Sequence, residues 1–167
     1  MNAHKICFIT CYNDESTYQE SLKYIQALKV PVSYEIETIA VKGAPSLSGG
    51  YNYAMKQSDA KYKVYLHQDV FIINRSFIID LIGLFESNKD LGIIGLVGTE
   101  KVPLSGVWWE GRSNWGKVYE NHTGKMELLA FQEVSRSYQE VQALDGFLLA
   151  TQYDLPWRED IFNGWHF

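Results

Sequence analysis

The sequence predicts an α/β fold on a mostly parallel, doubly wound sheet flanked by helices, followed by an aromatic-rich mixed α+β part. Three observations predict it. Short apolar, β-rich runs recur through the first hundred residues at 5–10, 34–41, 63–66 and 92–98. Segments with helical spacing of apolar residues separate them, which gives the strand-helix alternation of a parallel sheet. Beyond Glu100 the texture changes to Trp- and Gly-rich sequence that decorates a sheet rather than repeating it.

Taken in order, KICFIT (5–10) is apolar on successive residues, as in a strand buried on both faces. CYNDES supplies Asn13, Asp14 and Ser16 as turn and N-cap residues. Tyr18, Leu22, Ile25 and Leu28 follow at helical spacing, predicting a helix over 16–29 that ends before Pro31. YEIETIAV (34–41) reads as the second strand, KGAPSLSGG as a punctuated loop, and 51–57 as a short helix. After the third strand at 63–66, Ser76 is placed as the cap of a helix carrying Phe77, Ile78, Leu81, Ile82 and Phe85. GIIGLVG (92–98) is a further buried strand. Residues 126–134 and 140–151 are strand-like, and the end, YDLPWREDIFNGWHF, is aromatic without clean periodicity.

A chain of 167 residues suffices for one domain with a real core. A net charge of -5 excludes a nucleic-acid platform, which needs a basic face. Nothing approaches the roughly 20 apolar residues of a membrane span, and Met1 to Lys5 lead into a strand without a signal-peptide pattern, so a cytoplasmic location is expected. Peripheral membrane association and a homo-oligomer stay open. Cys7 and Cys11 read as reduced, packed residues, since no further cysteine completes a metal cluster or disulfide framework. Eleven Tyr and five Trp point to a surface that stacks on flat ligands, sugars or bases.

In an open parallel sheet, ligands bind beyond the carboxyl ends of the strands. Three polar clusters fall there: 10–14, 46–52 and 67–69. The first also reads as a capping turn, and the second as a flexible loop. The third interrupts a core run, YLHQDVF, with an imidazole, an amide and a carboxylate, and buried polar groups left unpaired cost on the order of 1–3 kcal/mol. A nucleotide diphosphate carrying Mg²⁺ or Mn²⁺ would satisfy them, since such a cation takes one or two carboxylates plus the phosphates. Gly49 and Gly50 permit close backbone approach. Neither a GxGxxG nor a GxxxxGK[ST] string occurs, which counts against dinucleotide binding and P-loop hydrolysis.

The order ICFITCYND, then SLSGGYNYAMKQSDAKYKVYLHQDVFI, resembles the front half of the family-two type glycosyltransferases, with the GT-A fold and nucleotide-diphosphate sugar donors. YLHQDVFI, LDGFLLAT and PWREDIFNGWHF resemble more closely the bacterial glycosyltransferase-like family that includes a streptomycin-biosynthesis protein. The resemblance implies a metal-assisted, inverting transfer of a sugar to a saccharide or other hydroxyl acceptor, in capsule, cell-surface or natural-product assembly. A non-catalytic nucleotide-sugar-binding domain and an interaction module are the alternatives. It makes Asp69 the metal carboxylate and sets His67 where the family has an Asp facing the ribose. It gives Thr10, Cys11, Tyr12, Asn13, Gly49, Asn52, His67 and Gln68 to the donor, with residues 1–100 as the donor half and 101–167 as the acceptor half of one domain. Asp145 is the candidate general base and His166 a candidate second metal ligand. Trp108, Trp109 and Trp165 are candidate acceptor contacts. Two departures stand out: Lys42 occupies a position after the second strand where the family has a carboxylate, and the family's Tyr-Asp pair after GWHF would fall past Phe167, so that either the chain is truncated or it has lost its usual base.

Overall fold

The computed structural model describes residues 1–164. It has the mixed α/β fold expected. The chain forms two compact units, Met1–Ile93 with Phe147–Phe167, and Ile94–Gly146. The segment after Phe147 therefore groups with the first ninety-three residues.

In the first unit β1 (Asn2–Tyr12), α1 (Glu15–Gln26), β2 (Glu35–Lys42), α2 (Leu47–Met55), β3 (Ala60–His67) and α3 (Phe77–Ser87) alternate as predicted. β1 pairs in parallel with β2 on one side and with β3 on the other. Ile6 to Cys11 are all buried, which a strand covered on both faces requires. The chain continues through β4 (Ile93–Gly95), β5 (Val97–Thr99), β6 (Asn114–Glu120), β7 (Glu127–Ala130), β8 (Ala143–Leu144) and β9 (Leu148–Thr151). The larger sheet has the order β2-β1-β3-β9-β4, and β9 enters it antiparallel to β3. β9 is buried along its whole length, so LLAT is core rather than decoration. The second unit holds an antiparallel sheet, β7-β6-β5-β8.

Four local expectations need correction. The run at 92–98 is two short strands in different sheets, parted at Leu96. A Cβ on Gly98 would overlap the Ala143 carbonyl, so the last part of that run is fixed by close pairing with β8 instead of continuing β4. The 140–151 segment likewise divides, β8 serving one sheet and β9 the other. α2 begins at Leu47, four residues before the predicted start, because the Ser46 hydroxyl accepts from Gly49 N at 3.1 Å and caps it. Ser76 makes no side-chain cap; Asn74 does that work, accepting from Ser76 N at 2.9 Å and donating to Asp80 at 2.8 Å. Asp14 caps α1, accepting from Thr17 N at 2.7 Å.

The core beneath α2 joins Cys7, Ile9 and Cys11 of β1 to Leu47, Tyr51, Ala54 and Met55. Trp157 completes it from the C-terminal segment, its ring 5.0 Å from Tyr65 and 5.5 Å from Tyr51. Burial pushes the thiols of Cys7 and Cys11 up to about 12, so both are neutral packing groups.

Candidate functional site

β1 and β3 run in parallel with Cys11 opposite His67, so their carboxyl ends open at one level. There Cys11, Tyr12, Asn13, Leu47, His67, Gln68 and Asp69 line a cleft of about 170 Å³. All three predicted spans thus reach the cleft, the 46–52 span through the apolar wall of Leu47 rather than through its polar residues. A larger groove of about 420 Å³, lined by His4, Tyr34, Ile79 and Glu86 among others, lies at the opposite, amino end of these strands. Position decides between them: the carboxyl edge is where parallel sheets receive ligands.

Gln68 joins the two loops. Its side-chain carbonyl accepts from the backbone N–H of Asn13 and of Asp14, both at 2.9 Å, and its amide donates to Asn13 Oδ1 at 2.9 Å. With all three contacts going to the β1–α1 loop, Gln68 sets the shape of the cleft floor. Gln68→Ala is expected to leave the fold intact and to weaken ligand binding in the cleft about tenfold, the scale of two or three lost hydrogen bonds of roughly 1 kcal/mol each shared between loop order and binding. Hydrogen exchange checks it: the amides of Asn13 and Asp14 should lose protection while those of β1 keep theirs.

Asp69 is exposed and its carboxylate makes no hydrogen bond or ion pair among the described residues. His67 sits at the β3 end, its backbone N–H donating to Phe147 O at 3.0 Å. Tyr12 stacks on Tyr18, centroids 4.6 Å apart and planes at 20°. Lys42 lies 5.6 Å from the Tyr12 centroid and pairs with Glu15 at 3.1 Å. A carboxylate is therefore present beside the end of β2 after all, contributed by α1. Hydrogen bonds from Gln19 and then from Lys42 hold Glu15 below the ordinary carboxylate range.

Other predicted residues have different positions. Thr10 is buried in β1, below the cleft. Gly49 and Gly50 lie inside α2 and face protein: a Cβ on Gly50 would overlap Cys11 Sγ, and one on Gly49 would lie 3.4 Å from Glu159 Oε2. The Asn52 amide is used up by the C-terminal segment. It donates to Trp157 O at 2.8 Å and Glu159 Oε1 at 2.7 Å, and accepts from Trp157 N at 2.8 Å. Ser48 donates to Phe162 O and Leu47 N to Gly164 O, so residues 157–164 are tied along α2. Sequence reading missed this strap because WRED has no periodicity to place it.

Asp145, Trp108 and Trp109 belong to the second unit. Trp108 and Trp109 lie on a 3₁₀ turn, Trp108–Glu110, and the Trp108 indole N–H donates to Asp145 Oδ2 at 2.9 Å. Trp165 and His166 lie outside the described residues. Among the described residues no three His, Cys, Asp or Glu side chains are grouped to hold a metal ion, and no helix is long and apolar enough to cross a membrane. The unengaged Asp69 carboxylate suits instead a hard divalent cation that arrives already bound to phosphate oxygens.

The model of a family described as "Glycosyltransferase like family" matches residues 7–167. No curated protein matches the chain.

Proposed function

The chain belongs to the glycosyltransferase-like family, and on that premise we propose that it moves a sugar from a nucleotide-diphosphate donor to a hydroxyl acceptor in the cytoplasm, with Mg²⁺ or Mn²⁺ entering on the diphosphate. The observation that carries the reading is the cleft at the carboxyl ends of β1 and β3, where the unengaged Asp69 stands beside His67 and Gln68. The GT-A-like fold of the family agrees with the mixed α/β architecture.

In this reading Tyr12 and Asn13 face the nucleoside, His67 faces the ribose side, and Asp69 would hold the cation. When bound, the cation supplies positive charge that offsets the charge developing on the departing diphosphate. The acceptor oxygen attacks the anomeric carbon as the bond to the diphosphate breaks, and a base takes the hydroxyl proton. Asp145, oriented by the Trp108 indole, is our candidate for that base. Gly49 and Asn52 act through the 157–159 strap.

Calorimetric titration with a set of nucleotide-diphosphate sugars, with and without Mn²⁺, tests the proposal. Binding that needs Mn²⁺ and weakens at least tenfold in Asp69→Ala is the expected result. Absence of heat with every donor, or equal binding in wild type and variant, defeats it. Donor binding without transfer to any hydroxyl acceptor would favour the nucleotide-sugar-binding alternative.

A further inference from the structure

We propose that the groove of about 420 Å³ at the amino end of the strands is a second ligand site of the first unit, and that its ligand is a small organic amine. The ammonium sits on Glu86, and the apolar body lies between α3 and the turn before β2. The site stands whether or not the chain is a transferase.

One wall is a stripe of α3. Ile79, Ile82, Gly83 and Glu86 stand at i, i+3, i+4 and i+7, the spacing that brings side chains to one helix face. Ile82 is buried, whereas Ile79 is 47% exposed. The facing wall is built by His4 of β1 with Pro31 and Tyr34. It is held in shape: Tyr34 N closes a turn on Pro31 O at 2.8 Å, and the His4 and Tyr34 rings meet edge to face at 5.1 Å. The Tyr34 hydroxyl donates to Glu86 Oε1 at 3.1 Å and so ties the two walls together.

Gly83 is the residue that packing leaves without a reason. Glycine is the poorest helix former after proline. Nothing here requires it, because its φ is not positive and a Cβ built on it would meet no atom within 4 Å. What the missing side chain provides is open space over the middle of the stripe.

Charge sets the sign of the ligand. Among the described residues no lysine or arginine lines the groove, and Glu86 is its one carboxylate. Glu86 Oε2 has no hydrogen bond or ion pair among them. Glu86 also stands in the last turn of α3, where the carbonyl ends of a helix favour a cation and no basic side chain is present to supply one. The volume falls in the range of small-molecule sites, about 300–1,000 Å³. Eight lining residues are far fewer than the roughly 20–30 per side of a stable protein interface.

The test is titration of the isotope-labelled full chain with phenethylamine, followed by amide shifts. Saturable shifts at His4, Tyr34, Gly83 and Glu86 with a Kd of about 1 mM are expected for a ligand this small. Phenethyl alcohol, the same body without the charge, should bind about tenfold more weakly, and Glu86→Gln should remove that preference. Gly83→Leu should abolish binding of both while raising Tm, since leucine is the better helix former, so that lost binding is not lost fold. No saturable shift at these amides, equal affinity for amine and alcohol in wild type, undiminished amine binding in either variant, or a lower Tm in Gly83→Leu would overturn the inference. Shifts of the same amides with protein concentration alone, as contact with a second copy would give, would overturn it too.

Discussion

Gly50→Ala is expected to destabilise the protein by about 2 kcal/mol even though alanine is the better helix former. The new methyl would overlap Cys11 Sγ and stand 2.9 Å from Ala44 Cβ, neither of them the far end of a flexible chain. Overpacking of this kind costs roughly 1–3 kcal/mol or somewhat more, against about 1 kcal/mol gained from helix propensity. α2 would be pushed off β1 at the level where Leu47 walls the cleft. A double-mutant cycle with Cys11→Ala, read by denaturant unfolding, isolates the cause. Removing the sulfur should recover about 1 kcal/mol of the Gly50→Ala cost; an unchanged cost in the Cys11→Ala background would show that the overlap is not responsible.

Asp154→Ala should cost about 3 kcal/mol, a fall in Tm of roughly 6 to 12 °C for a chain of this size. Lys63 is fully buried in β3, its ammonium donating to Ala60 O at 2.6 Å and to Asp154. Truncating the partner leaves a positive charge in the sheet with only a carbonyl to face. The low end of the buried-pair range applies because Asp154 itself is 43% exposed. Lys63→Met, which removes the charge and keeps the length, should change stability by less than about 1.5 kcal/mol. Calorimetric unfolding of both variants decides: the explanation fails if the lysine variant loses more than the aspartate variant.

The polar edge was readable because its signal is local. HQD breaks an apolar strand, and the rule that ligands meet parallel strands at their carboxyl ends then locates Cys11 to Asn13 and His67 to Asp69 together. Lys63 gave no such signal: it opens the 63–66 run, which the sequence marks only as a short apolar strand. Only the return of Asp154 after β9 lets it be buried. Glu15 was equally hidden, since nothing in ESTYQE says that its carboxylate lies against Lys42 beyond the end of β2.

What the sequence determined by itself was the strand-helix alternation of the first unit and the polar residues at the carboxyl edge of its strands, because period and turn chemistry act over a few neighbours. What the tertiary structure decided was the use of residues joined across long separations: LLAT as an antiparallel strand beside β3, Asn52 as a clamp on 157–159, Gln68 as the tie between two loops, and the glycines of α2 as room for Cys11 and Glu159. These depend on which backbone passes within hydrogen-bond or van der Waals reach, and pairings more than fifty residues apart leave no period in the chain.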